Sequence, residues 1–122
     1  MSSRQAAGQR AEGWALTHLE EYGLHLVARN WRCRHGELDL VMNEGQGLVF
    51  IEVRYRASTH WGGAEASVDH LKRQRLIATA HTFLQQHLVW LNKPCRFDIV
   101  AIHAGTRHQA PQLNWIQGAF DH

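Results

Sequence analysis

The sequence predicts an α/β fold, a mixed β-sheet with helices packed on it, formed as one domain over residues 1–122. Three observations predict it. Larger or apolar residues recur at three- and four-residue steps near the N-terminus and again over residues 71–91, the period of a helix that buries one face. Residues 36–43 and 48–56 instead alternate side chain by side chain, the period of a strand. A chain of 122 residues is long enough for one hydrophobic core and leaves little room for a second.

The elements follow in order. Ala7, Ala11, Trp14, Ala15, His18, Leu19 and Tyr22 form one stripe, while Arg4, Gln9, Glu20 and Glu21 take other faces; Ser2 or Ser3 caps this helix and Gly23 ends it. LHLVARN reads as a first strand leading into a turn. GELDLVMN, the turn NEGQG and LVFIEVRYR form a hairpin rich in β-branched and aromatic residues. After the connecting stretch ASTHWGGAEA, Ser67 caps a long helix with the stripe Leu71, Leu76, Ile77, Ala80, Phe83, Leu84, His87, Leu88 and Leu91, stopped by Asn92 to Pro94. RFDIVAIH is a further strand, AGTRHQAP a polar loop, and LNWIQGAF a last amphipathic strand or turn.

Composition narrows the function classes. With 44% hydrophobic and 20% charged residues the chain reads as an ordinary globular protein. A net charge of +2 does not by itself announce a nucleic-acid partner. No apolar run approaches the roughly 20 residues of a membrane span, and the N-terminus lacks the apolar core of a secretory signal, so the expectation is a cytoplasmic protein with no membrane partner. Cys33 and Cys95 stand far apart, without the spacing of a zinc knuckle or redox pair, and are expected to be reduced thiols. None of the ten histidines falls in an HExxH-like pattern.

The chemistry concentrates in the hairpin. Glu37 and Asp39 are expected on one face of their strand, with Leu38 and Leu40 together on the other; in the partner strand Leu48, Phe50, Glu52, Arg54 and Arg56 share a face. An acid flanked by Val, Phe and Ile costs stability unless paired or bound to a metal, which makes Glu52 the most informative residue. A divalent cation relieves the repulsion of clustered carboxylates, and oxygen ligands point to Mg²⁺ or Mn²⁺ rather than zinc. The competing reading is a structural salt bridge of Glu52 or Asp39 with Arg54, Arg56 or Arg34. An Asp, a Glu thirteen positions on and, after one residue, a basic group is the spacing of a known nuclease site.

The run NWRCRHGELDLVMNEGQGLVFIEVRYRAS, followed by WGGAEASV and RFDIV, closely resembles the YraN family of small bacterial proteins, a branch of the restriction-endonuclease-like, PD-(D/E)xK superfamily that also holds the Holliday-junction resolvases. The resemblance extends from Gly8 and Glu12 to Ala119 and Phe120. It implies a single nuclease-like domain in which Asp39 is the metal-binding aspartate, Glu52 the acid of ExK and Arg54 the occupant of the lysine position. It further implies that Glu12 is a helical acid brought to the metal, that the Val53 carbonyl is a further ligand, and that Mg²⁺ or Mn²⁺ supports phosphodiester hydrolysis. Two positions depart from the pattern: Leu38 replaces a proline, and Arg54 replaces a lysine. Arginine stays protonated, so it can steady a phosphate but cannot serve as a general base.

Over residues 29–107 there are eleven basic and seven acidic residues, a local surplus expected to draw DNA without reading its sequence. Arg34, Arg56, Lys72, Arg73 and Arg75 are the expected nucleic-acid contacts, and Lys72, Arg73 and Arg75 could equally be the solvated face of the long helix. Gln74 is a further candidate near the metal. Trp31 and Trp61 are read first as core and second as base-stacking residues, and Asp98 as a structural anchor for Arg96 or a neighbouring strand. The leading expectation is a metal-dependent nuclease acting on branched or damaged DNA. The alternative is a nucleic-acid-binding or scaffold protein of the same fold with lost or weak turnover. A monomer is favoured over a homodimer because LNWIQGAF is expected to complete the core.

Overall fold

The first helix begins where side chains can satisfy its opening turn. Ser2 Oγ accepts from the Gln5 N–H at 3.1 Å, and the Gln5 carboxamide accepts from the Ser2 N–H at 3.0 Å, a reciprocal capping box. In this computed structural model, which describes residues 2–56 and 67–122, α1 covers Ser3–Glu21. Four elements run in succession after it: β1 (His25–Cys33), β2 (Gly36–Glu44), β3 (Gly47–Arg56) and α2 (His70–Gln86). A short 3-10 turn, Leu88–Trp90, precedes β4 (Cys95–His103) and β5 (Gln112–Phe120).

The five strands lie side by side in chain order. Neighbours are antiparallel except β3 and β4, which are parallel because α2 lies on the crossover between them. The sheet is therefore mixed and buried on both faces, an α/β architecture of the restriction-endonuclease-like kind that the sequence predicts. On one face α2 packs Leu76, Ala80, Phe83 and Leu84 against Leu48, Phe50, Phe97 and Ile99. On the other, α1 packs Ala11, Ala15 and Leu19 against Leu40, Met42, Val49, Ile51, Val100 and Ile102. Each fully buried aliphatic or Phe side chain stabilises the fold by about 1.5–3 kcal/mol before conformational entropy is counted.

Several expectations change. The first strand does not stop at Asn30; it continues to Cys33 and pairs with β2 as far as Cys33 opposite Gly36, so the turn is Arg34–His35. The cap of α2 is Asp69, whose carboxylate accepts from the Lys72 N–H at 2.9 Å, not Ser67. The apolar stripe of that helix is shorter than the sequence implies. Leu88 and Leu91 are exposed because the α-helix ends at Gln86 and the 3-10 turn redirects the chain, and Leu71 is exposed in the first turn of the helix. LNWIQGAF is a strand, and Ile116, Ala119 and Phe120 pack against the α2-side core while Leu113 and Trp115 pack against the α1-side core. Trp31 also packs inward, edge-on to Phe83 at 5.2 Å between ring centroids. The connection over residues 57–66, with Trp61, lies outside the described residues.

Asp98 fastens β5 to the sheet. Its fully buried carboxylate accepts from Arg96 Nε at 3.0 Å, from Trp115 Nε1 at 2.9 Å and from the Gly118 N–H at 2.9 Å. Gly118 adopts φ +57, a backbone conformation open to glycine, at the point where β5 meets this acid. Asp98→Ala strands three donors at once and should cost about 3 kcal/mol or more. Urea unfolding checks this, and a loss below about 1 kcal/mol would show that water or a neighbour replaces the carboxylate.

Candidate metal centre

The site forms where β2 and β3 part. Their backbone ladder runs from Glu44 opposite Gly47 to Leu40 opposite Ile51. Beyond it, Asp39 Oδ2 accepts the Val53 N–H at 2.9 Å, so a side chain occupies the place of a strand carbonyl. β2 meanwhile stays paired with β1. The regular alternation breaks here: Leu38 lies in the α2-side core and Leu40 in the α1-side core, which corrects the expectation that they share a face. A strand that has lost one neighbour is free to rotate, and this one rotates to bury Leu38.

The break gathers acids from three elements. Glu12 of α1 and Glu37 and Asp39 of β2 each offer a carboxylate oxygen, all within 4.8 Å of one another. Glu52 of β3 is 6% exposed and approaches Asp39 from the α2 face. Burial, reinforced by the charge on Glu52, pushes the Asp39 carboxyl up to about 8, against the Val53 hydrogen bond that favours the anion. Burial also raises Glu12, although Arg29 lies 3.8 Å away. Glu52 is raised by burial in spite of two cations on the same oxygen, Arg54 at 3.4 Å and Lys72 at 3.5 Å.

The predicted site residues thus fall into two neighbouring groups. Asp39 and Glu12 come together, and Val53 touches Asp39 through its N–H. Glu52 keeps Asp39 as an electrostatic neighbour while pairing with Arg54 and Lys72; Arg54 also donates from Nε to Ser67 Oγ at 3.1 Å. Arg34 and Arg75 lie together beside these acids, lining a cleft with Lys72 and Glu37. Arg56 turns to its own backbone, donating to the Tyr55 carbonyl at 3.5 Å. Arg73 is turned inward, donating to the Val68 carbonyl at 2.7 Å with its guanidinium 5.3 Å from the Phe120 ring centroid, so it ties α2 to β5. Gln74 is exposed on α2, where it is Lys72 that reaches Glu52.

Asn30 is a cluster residue that sequence reasoning passed over, and Glu37 was placed beside Asp39 without being given a role. Asn30 has φ +53, left-handed for a residue other than glycine. With its amide nitrogen turned toward the acids it donates to Glu12 Oε1 and Glu37 Oε1, each at 2.9 Å. The opposite orientation would set an oxygen against two carboxylates. Arg32 holds the other Glu37 oxygen at 2.8 Å. The only signal in the sequence was the acid of GELD one side-chain period before Asp39; nothing local announces Asn30. Clustered hard carboxylate oxygens, one pushed toward its protonated form by burial and by the charge on Glu52, are the donor type that Mg²⁺ or Mn²⁺ takes.

Among the described residues no helix is long and apolar enough to cross a membrane. Residues 11–102 match the family described as Uncharacterised protein family UPF0102, which is the YraN family that the hairpin motifs resemble. The UPF0102 protein of Stutzerimonas stutzeri (strain A1501) is 56% identical over 121 residues, covering 99% of this chain and 99% of the relative. That of Pseudomonas savastanoi pv. phaseolicola (strain 1448A / Race 6) is 53% identical over 120 residues, covering 98% and 97%. That of Pseudomonas aeruginosa (strain LESB58) is 48% identical over 124 residues, covering 99% of each.

The proton on Asp39 has a sign that can be measured. In the unfolded chain the group titrates near its ordinary 3.8, and in the fold near 8. Its relative stability contribution is therefore fully present below about 4 and is lost as pH rises toward about 8. A cation that needs the anion must displace that proton, so at pH 7 Mn²⁺ binding should release about one proton per ion. Calorimetry in two buffers of different ionisation enthalpy measures the release. Equal release from the parent and Asp39→Asn would assign the proton to another group.

Proposed function

The chain belongs to the UPF0102 family, and on that footing we propose that it is a divalent-metal-dependent nuclease that hydrolyses phosphodiester bonds in DNA, with branched or damaged DNA as the substrate class. The observation that carries this reading is the gathering of Glu12, Glu37 and Asp39 at the β2–β3 break, against Glu52 and beside a basic cleft. A protein that needed these acids only for stability would gain more from apolar side chains of the same volume.

Asp39, Glu12 and Glu37 would hold Mg²⁺ or Mn²⁺, with Glu52 and the Val53 carbonyl as candidate further ligands. When bound, the ion neutralises charge on the scissile phosphate and makes water a competent nucleophile at neutral pH. Arg54 steadies the phosphate by donating hydrogen bonds and takes no proton. Lys72 brings an amine to the same Glu52 oxygen that Arg54 contacts, so α2 supplies the lysine that β3 lacks. Arg34, Arg56, Lys72 and Arg75 offer phosphate contacts, whose affinity is electrostatic and falls with salt. The aromatic residues of β5 serve the core, which favours action as a monomer.

A second reading, a nucleic-acid-binding scaffold without turnover, draws on one specific observation: Glu52 already has two cationic partners. Purified protein incubated in Mn²⁺ with linear, flapped and four-way DNA separates the two. Under the nuclease reading the parent cleaves at least one substrate and Asp39→Ala cleaves none. Salt-dependent binding with no cleavage by either protein would establish the scaffold. Within the nuclease reading, Arg54→Ala should lower single-turnover cleavage by about 10², and Arg54→Lys should preserve or raise it. Equal rates for Arg54→Ala and the parent would reduce Arg54 to a structural partner of Glu52.

A further inference from the structure

The turn joining β1 to β2 is held against α2 by an unusually close approach. Gly36 has φ +151, and a Cβ placed there would lie 3.2 Å from Thr79 Oγ1. Thr79 is fully buried and donates its hydroxyl to the Arg75 carbonyl at 2.7 Å. A side chain at position 36 would require Thr79 or the turn to give by a few tenths of an ångström, in a backbone conformation that L side chains rarely adopt. With glycine there, the turn and the helix enclose a cleft of about 370 Å³ whose walls carry Arg34, His35, Lys72 and Arg75.

The charges in this cleft are not balanced. Glu37 shares its wall but is already held by Arg32 and Asn30, and Lys72 is paired with Glu52. The side chains of Arg34, His35 and Arg75 make no hydrogen bond or ion pair among the described residues. Two permanent guanidinium charges therefore face one small cleft, with an imidazole beside them. An internal phosphodiester brings one negative charge, whereas a terminal phosphate monoester brings about 1.5 to 2 at neutral pH and three acceptor oxygens for the guanidinium forks. Glu37 also lines the wider cleft that contains Glu12 and Asn30, so the basic cleft opens directly beside the acid cluster.

We propose that the cleft between the β1–β2 turn and α2 is a binding site for the terminal phosphate monoester of a nucleic-acid strand. The preferred DNA is then one with a phosphorylated end, nick or gap near the metal centre, rather than an uninterrupted duplex. This deepens the nucleic-acid reading above and rests on it, without depending on turnover.

The test measures binding in EDTA of four short single-stranded DNAs by fluorescence anisotropy. One carries a 5′-phosphate, one a 3′-phosphate and one neither; the fourth lacks a terminal phosphate but is a nucleotide longer, adding one internal diester to control for charge. One of the two phosphorylated strands should bind about five-fold or more tightly than the longer control. Arg34→Gln and Arg75→Gln, both at exposed positions, should each remove most of that preference, and Asp39→Asn should retain it. Binding of all four strands in proportion to charge overturns the proposal, as does a preference that survives both arginine changes. A preserved end preference with no Mn²⁺-dependent cleavage overturns the nuclease reading while leaving the phosphate site standing.

Discussion

A hydrogen bond from the Val53 N–H to the Asp39 carboxylate, at 2.9 Å, ends one ladder of the sheet and opens the site. A buried backbone donor needs a partner, and in a regular sheet the adjacent strand supplies it. Here a carboxylate does so instead, which frees β2 from β3 while β1 still holds it. Every notable feature of the site follows from that release. Leu38 rotates into the α2-side core, Glu37 and Asp39 turn toward Glu12, and Glu52 is left facing the gap. Asp39 is thereby a structural acceptor within the sheet while its carboxylate also lies in the acid cluster.

The electrostatics are divided in the same way. The cations nearest the acids are attached to particular oxygens, Arg32 to Glu37 and both Arg54 and Lys72 to Glu52. No cation stands among the largest influences on Asp39, and burial together with its acidic neighbours favours its protonated form. Asn30 bridges Glu12 and Glu37 with a neutral amide, which joins two acids without cancelling their charge. Such a cluster keeps its demand for positive charge. The surplus cations stand apart on the β1–β2 turn and α2, where Gly36 lets the two approach. The acid cluster and the basic cleft thus adjoin along Glu37, which lines both.

The α/β class, the hairpin, both long helices, the inward place of Asp98 and the candidacy of Asp39 and Glu52 were legible because each rests on local information, whereas Glu12 was a candidate only through the family resemblance. Period 3.6 against period 2, a capping serine and an acid set among aliphatic residues are properties of neighbouring positions. The chain also carries specific motifs, GELDL and FIEVRYR, that identify its family. Where local reading failed, a distant contact had overridden it. The stripe of α2 overran into Leu88 and Leu91 because the helix ends before them. Arg73 looked like its basic neighbours Lys72 and Arg75, yet it alone reaches Phe120, 47 positions further on.

The sequence by itself determined which segments are helix and strand and most of the residues that fill the core, and it marked Asp39 and Glu52 of the hairpin as candidate acids, since alternation and periodicity are set by the backbone geometry of a few consecutive residues. Only the tertiary structure decided how those acids are grouped. The loss of one ladder partner rotates β2, the left-handed backbone at Asn30 within β1 lets its amide join an acid of α1 to one of β2, and the glycine at position 36 lets the two cationic walls approach. Each depends on groups far apart in the chain, whose separation is fixed by packing and by the hydrogen bonds that packing permits.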